Sequence, residues 1–355
     1  MSRPDDNLDP YERIVKKTLD KFIPFKVDWE VTYGCNLNCR HCYQMTPDKR
    51  RELSAAEAYS VLDQLADLGC LYITFSGGEI LTRNDFFEIV GYAKRKGFAI
   101  RLFTNGTLID EEAADRIQGL NPLSVEISLY AADAAVHDGI TGSSGSFEKS
   151  VNAFKLLKKR NLNTVVKCTF IKDNLSQFDG LKEFSDSMGC RFTYSFTLIP
   201  KIDGTKDITG LRLDEGQAKE LFCSNSQIIR DIEEGGVYTY KPLCAAGFNS
   251  LYISPYGEVF PCVVLREDCG NLRETSLKKI WHADFFRRLR SIEYEDLKQC
   301  AGCELSHYCD RCAGLAWMEG RDLLGPSIND CLLARARKFA LEAKRGAEKT
   351  AGRLS

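Results

Sequence analysis

Residues 25–43 read FKVDWEVTYGCNLNCRHCY. Phe25–Thr32 reads as a strand. Thr32–Tyr43 then places Cys35, Cys39 and Cys42 in a C-x3-C-x2-C pattern directly after it. Three thiolates on a short loop can hold three irons of a 4Fe–4S cluster, because thiolate is the preferred ligand of such clusters. Three ligands for four irons leave one iron open for a substrate or cofactor. The competing readings are a zinc site and three unrelated thiols. Structural zinc takes four ligands. No fourth is local, and His41, between Cys39 and Cys42, would have to share a cramped loop.

Outward from this segment the chain alternates helices and strands. Ser54–Leu68 reads as a helix whose Ser54 and Glu57 form a capping box. Strands are expected at Leu71–Phe75, Ala99–Phe103, Ser124–Leu129, Thr164–Phe170 and Phe192–Leu198. Between them, Asn84–Lys96, Asp110–Gln118, Ser146–Arg160 and Leu175–Met188 read as helices. Strands separated by helices imply right-handed crossovers and a parallel α/β sheet. Periodicity alone leaves an open doubly wound sheet and a partial barrel as alternatives.

The alternation breaks near Pro200. Lys201–Gly210 is polar and glycine-bearing, as a linker or lid would be. Beyond it the chain is loop-rich, with a hairpin expected around Pro255-Tyr256-Gly257 and helices at Ser276–Arg290 and Leu332–Lys344.

The chain has 355 residues, 44% of them hydrophobic, enough for a large domain and a smaller one. A net charge of -2 gives no reason to expect nucleic acid. The polar N-terminus lacks the apolar stretch of a secretory signal, and no apolar run is long enough to span a bilayer. The expected location is the cytoplasm, with no membrane partner. Fifteen cysteines are the anomaly, and in a reducing compartment dense cysteine points to metal rather than disulfides. Cys244, Cys262, Cys269, Cys300, Cys303, Cys309, Cys312 and Cys331 crowd the last third. Cys70, Cys168, Cys190 and Cys223 stand alone and read as buried small hydrophobes.

The cysteine loop resembles the signature of the radical S-adenosylmethionine (SAM) superfamily, C-x3-C-x-(aromatic)-C after the first strand, which Cys35, Cys39, His41 and Cys42 fit. The resemblance implies a partial (β/α)6 barrel and an oxygen-sensitive enzyme whose open iron chelates SAM. One electron then cleaves SAM to methionine and a 5′-deoxyadenosyl radical, which abstracts a hydrogen atom. It also implies cofactor contacts. Phe75–Glu79, FSGGE, would bring Ser76, Gly77, Gly78 and Glu79 to the SAM amino group. Phe103–Thr107, FTNGT, would contribute Thr104 and Asn105. His41 and Tyr43 flank the last cysteine, Ser128 ends the fourth strand, Lys167 or Thr169 lies on the fifth, and Leu198 on the sixth would touch adenine. All sit at strand C-terminal ends, where barrel active sites are built.

The last third resembles the SPASM domain, an extension that binds two auxiliary 4Fe–4S clusters. Its pattern appears as Cys244, then Gly257-x4-Cys262, then Cys300-x2-Cys303-x5-Cys309-x2-Cys312, then Cys331. The interval before Cys312 is x2 where the family has x3. The resemblance implies one cluster on Cys244, Cys262 and Cys312, and another on Cys300, Cys303, Cys309 and Cys331. The first would have an open iron, or recruit Cys269 or an outside ligand. A zinc ribbon on Cys300, Cys303, Cys309 and Cys312 is the alternative, but the five-residue spacer is too short for the usual ribbon.

SPASM enzymes mostly act on peptides or proteins, so the expected activity is peptide maturation, with a separate peptide-recognition protein as a possible partner. The alternatives are a cofactor pathway (haem or a metal cofactor) and, more remotely, a non-enzymatic zinc-binding adaptor. Sulfatase maturases carry an acid after the G-x4-C cysteine; Val263 stands there, which disfavours that activity. A ferredoxin or flavodoxin is the expected electron donor. The expected organisation is an N-terminal extension (1–25), a radical SAM core (26–200), a linker or bridging region (201–240), a SPASM domain (241–335) and a basic C-terminal helix or tail (336–355).

Overall fold

The computed structural model describes residues 9–44, 50–234 and 244–351. The expected boundary at 240/241 and the end of the basic tail at Arg353 lie outside the described residues.

Strands β1 (Lys26–Thr32), β2 (Tyr72–Gly77), β3 (Ala99–Thr104), β4 (Ser124–Ser128), β5 (Thr164–Thr169) and β6 (Arg191–Ser195) lie side by side in chain order, all parallel. A doubly wound sheet reverses its strand order at a switch point. This order has no reversal, so right-handed crossovers carry the helices to one face and the sheet curls as a barrel wall. Among the described residues β6 pairs with β5 alone, so the wall stays open. The fold is therefore the partial barrel rather than the doubly wound sheet.

In chain order, α1 (Pro10–Asp20) precedes the sheet, and α2 (Ala55–Asp67), α3 (Phe86–Arg95), α4 (Glu111–Leu120), α5 (Ala134–Thr141), α6 (Ser146–Lys159) and α7 (Phe178–Met188) connect its strands. The Ser54–Glu57 capping box starts α2 as the sequence indicates. The short α5, unforeseen in the sequence, starts on an Asp133 cap and ends on Gly142 in the left-handed region. Val27, Trp29 and Val31 of β1 join Ile73, Phe75, Ile100, Leu102, Val125 and Ile127 in one core cluster with the helices. Full burial of each such side chain stabilises by about 1.5–3 kcal/mol. The alternate residues Asp28 and Glu30 face the inside of the curl, level with Thr74 and Ser76.

The C-terminal region is grafted onto this sheet. The expected hairpin forms as β7 (Ser250–Ile253) and β8 (Val259–Phe260), and β7 also pairs in parallel with β1. The region expected as a linker or bridging segment contains, among its described residues 201–234, α8 (Glu215–Ser224) and α9 (Ser226–Glu234). Ser276–Arg290 forms two helices, α10 (Leu277–Trp281) and α11 (Asp284–Arg290), because Ala283 between them is extended. Then come α12 (Ala313–Gly320) and α13 (Ile328–Ala351), which runs unbroken past residue 335 and packs on α8.

Candidate active site

The cysteine loop leaves the C-terminal end of β1 and is held from both sides by backbone. The Gly78 N–H donates to the Thr32 carbonyl at 2.9 Å, and the Glu79 N–H to the Gly34 carbonyl at 2.8 Å. A Cβ at Gly77 would sit 2.2 Å from the Thr32 oxygen, and one at Gly78 would sit 2.2 Å from the Gly34 oxygen. The close approach that requires these glycines is thus to the cysteine loop itself. On the far side, Asn38 N–H donates to the Thr141 carbonyl and Arg40 N–H to the Ile140 carbonyl, at 3.0 and 2.9 Å. The end of α5 therefore braces the loop between Cys35 and Cys42.

Within this frame Cys35, Cys39 and Cys42 are mutual electrostatic neighbours. Burial, then the Cys42 and Cys35 thiolates, push Cys39 up to about 12. Burial also raises Cys35 and Cys42. Without added positive charge these groups stay protonated thiols. Bound iron would supply that charge, and its binding would release protons. His41 is buried against Tyr130, with ring centroids 4.4 Å apart. Its Nδ1 has no partner among the described residues, and burial lowers its pKa to about 4.

Glu79 is turned inward and fully buried. Its carboxylate accepts from Thr104 Oγ1 at 2.8 Å, Asn105 N–H at 2.7 Å and Leu81 N–H at 3.1 Å. Asn105 Nδ2 donates to Asn36 Oδ1 at 3.0 Å and lies 4.0 Å from Cys35 Sγ. Glu79, Thr104 and Asn105 therefore brace the loop. Ser76 and Ser128 are half-buried at strand ends. Lys167 pairs with Glu126 at 3.3 Å, its Nζ 3.7 Å from the Phe103 ring centre. Leu198 is buried with Ile140, Ile171 and Ile208, and Tyr43 and Tyr130 pack on that cluster.

Two further thiol groups form in the C-terminal region. Cys262, half-buried, has Cys244 and Cys312 as its charged neighbours, and desolvation followed by Cys244 pushes it up to about 12. Backbone N–H groups face all three sulfurs: Ala246 to Cys244 at 3.4 Å, Leu265 to Cys262 at 3.2 Å and Leu315 to Cys312 at 3.4 Å. Such bonds favour thiolate and tune a cluster's potential. Cys331 has Cys300 and Cys303 as neighbours, and Cys309 has Cys331. Asp330 acts on Cys309, Cys312 and Cys331, and so lies between the two groups. Its carboxylate accepts the Cys312 N–H at 2.8 Å, and burial raises its pKa to about 6. Cys269 stands apart: its thiol donates to the Glu267 carbonyl, and its charged neighbours are Asp268 and Glu267. Of the solitary cysteines, Cys70 and Cys168 are buried, Cys190 is half-buried, and Cys223 is exposed, contrary to expectation.

Every cysteine is free, and among the described residues no three His, Cys, Asp or Glu side chains converge as one metal ion would need.

The radical SAM superfamily profile matches residues 29–184, and the SPASM iron–sulfur cluster-binding profile matches residues 244–304. An AdoMet-dependent heme synthase of Nitratidesulfovibrio vulgaris is 30% identical over 325 residues, which span 82% of this chain and 88% of that protein. The chain belongs to the radical SAM superfamily. It is an enzyme of that superfamily with a SPASM domain, and its chemistry uses SAM and 4Fe–4S clusters. The mycofactocin maturase MftC of Mycolicibacterium smegmatis is 28% identical over 85% of this chain and 81% of its own length. Streptococcus suis SuiB bound to its precursor peptide SuiA has the same fold, with a TM-score of 0.69 and 17% identity over 94% of this chain and 83% of SuiB. The glycine-lined seat, the unpartnered His41 nitrogen and the three thiol groups are consistent with those radical SAM cofactors. Cys309, Cys312 and Cys331 lie beyond the SPASM match, so sequence spacing and the observed thiol neighbourhoods carry their assignment. A buried group that sequence reasoning missed (Glu30, Tyr33, Tyr252 and Arg266) joins the cysteine loop to the C-terminal region. Its one legible signal was a carboxylate, Glu30, set between the apolar Trp29 and Val31 just before the cysteine loop.

Among the described residues no helix is long and apolar enough to cross a membrane.

Proposed function

We propose that Cys35, Cys39 and Cys42 hold the SAM-cleaving cluster of an enzyme that abstracts a hydrogen atom from a peptide or protein. The bound cofactor supplies a 5′-deoxyadenosyl radical when an electron reaches it. The chain's part is to position. The Gly77–Gly78 seat and the end of α5 fix the cysteine loop, while Tyr43, Tyr130 and Leu198 form an apolar wall beside it. Cys244, Cys262 and Cys312 would hold a second cluster, and Cys300, Cys303, Cys309 and Cys331 a third. A ferredoxin or flavodoxin would supply the electron.

The observation that carries this reading is the grouping of thiols from one loop at the C-terminal end of β1, backed by a glycine seat. Likeness to a mycofactocin maturase and to the subtilosin biosynthesis protein AlbA favours a peptide substrate. A second reading, a haem-pathway enzyme, is favoured by the heme synthase at 30% identity. One experiment separates them. Anaerobically reconstituted, reduced enzyme is mixed with SAM and either a set of synthetic precursor peptides or a carboxylated iron tetrapyrrole. The substrate class that raises 5′-deoxyadenosine above the substrate-free rate, with a matching mass change, identifies the function. Iron-loaded enzyme that leaves SAM intact under dithionite would sink both.

A further inference from the structure

Glu30 and Arg266 come from opposite ends of the chain and meet in a nearly dry network. Their side chains are 1% and 12% exposed. Glu30 Oε1 accepts from the Tyr43 hydroxyl at 2.7 Å and from Gln44 Nε2 at 3.1 Å. Glu30 Oε2 accepts from the Tyr252 hydroxyl and lies 3.5 Å from Arg266 Nη2. Arg266 Nη1 donates to the Tyr33 hydroxyl at 3.0 Å, and Nη2 donates to the Tyr252 hydroxyl at 2.7 Å. Its guanidinium also lies over the Tyr252 ring, 4.7 Å from the centroid.

A buried ion pair is weak evidence for stability, because desolvation offsets much of the attraction and apolar replacements often serve as well. The attachment points suggest a different role. Tyr33 precedes the cysteine loop, and Tyr43 and Gln44 follow it. Arg266 leaves the Cys262 loop, where its Nε donates to the Val263 carbonyl at 3.1 Å. Leu265, just before Arg266, donates its N–H to Cys262 Sγ. Glu30 thus takes hold of the trailing end of the first cysteine loop and Arg266 of the leading end, and the pair joins both to the backbone beside Cys262.

We propose that Arg266 is a positioning residue for SAM cleavage: through Glu30, Tyr33 and Tyr252 it holds the Cys35–Cys42 loop against the Cys262 loop. The proposal rests on the reading of Cys35, Cys39 and Cys42 as ligands of the SAM-cleaving cluster.

The test compares reconstituted parent enzyme with Arg266→Met, Arg266→Lys, Glu30→Gln and the double variant Glu30→Gln/Arg266→Met. Iron content, 5′-deoxyadenosine formation under dithionite, and the EPR signal of the reduced, SAM-bound cluster are measured. Arg266→Met should retain its iron, slow SAM cleavage by about tenfold to a hundredfold, as a misplaced reacting group does, and shift the EPR signal. Arg266→Lys should recover part of the rate. The double variant should be faster than Arg266→Met, because it no longer buries an unpaired carboxylate. Parent-like rate and EPR signal in Arg266→Met overturn the proposal, as does a double variant whose losses simply multiply. If Arg266→Met does not fold, Tyr252→Phe keeps both charges and removes one link: a slower rate with a shifted signal supports the proposal, and parent behaviour overturns it. Parent enzyme that binds no iron defeats the ligand reading itself, and the proposal falls with it.

Discussion

The Asn105 N–H donates to Glu79 Oε2 at 2.7 Å, which ties the end of β3 to the segment that seats the cysteine loop. Burial pushes the Glu79 carboxyl up, while the donors from Asn105, Thr104 and Leu81 pull it back. The carboxylate is an acceptor for all three, so an amide cannot replace it without facing a donor with a donor. Glu79→Gln is expected to destabilise the protein by about 1–3 kcal/mol, the cost of a buried group left unmatched. Anaerobic denaturant unfolding measures this, and an unchanged midpoint would count against the bracing role.

Gly78→Ala is expected to damage the first cysteine loop and spare the others. The added methyl would overlap the Gly34 carbonyl, a backbone atom that cannot swing aside. Loss of about four irons per chain, with the remaining clusters intact, is the expected result. Full iron content with unimpaired SAM cleavage would show that the loop has room the geometry denies.

The three thiol groups predict an additive iron ledger. Parent enzyme should hold about twelve irons and an equal amount of sulfide. Alanine at Cys35, Cys39 and Cys42 should leave about eight and abolish SAM cleavage. Alanine at Cys300, Cys303, Cys309 and Cys331 should also leave about eight, with substrate-free SAM cleavage retained. Zinc in place of iron in the anaerobically purified protein would contradict the whole assignment.

His137 predicts an acid-sensitive step in stability. Tyr130 N–H donates to its Nδ1 at 3.1 Å, so the ring is neutral at that nitrogen. Burial lowers its pKa from 6.5 to about 4. The unfolded chain therefore takes up a proton between those values and the folded chain does not. The stability contributed by the neutral ring is complete above pH 6.5 and is lost as pH falls toward 4. The slope is up to about 1.4 kcal/mol per pH unit. His137→Gln keeps an acceptor for Tyr130 and should lose that slope. Equal pH dependence of unfolding in parent and variant would refute it.

Much of the candidate site was legible before the fold. The Cys35, Cys39 and Cys42 spacing is local, so a single loop can be read as one ligand set. The Gly77-Gly78 pair was legible as a place of close approach, but the approaching group was not. It is the carbonyls of Thr32 and Gly34, far away in sequence. The family resemblance puts Glu79 and Lys167 beside the cofactor, but it does not give their protein partners. Those, Thr104 and Asn105 for one and Glu126 for the other, come from neighbouring strands whose register no local pattern reveals.

By itself, the sequence determined the six strands of the barrel wall, most of the helices between them, the parallel α/β class and the spacing of the cysteines, because helix caps, strand composition and cysteine spacing act over a few residues. Only the tertiary structure decided between an open doubly wound sheet and a partial barrel, through a strand order without reversal. It set Cys269, which the family pattern left as a possible recruit, apart from the two late thiol groups. It alone brought Arg266 to Glu30 across 236 positions of chain. A contact of that separation depends on how whole layers pack, and no window of sequence contains the residues that make it.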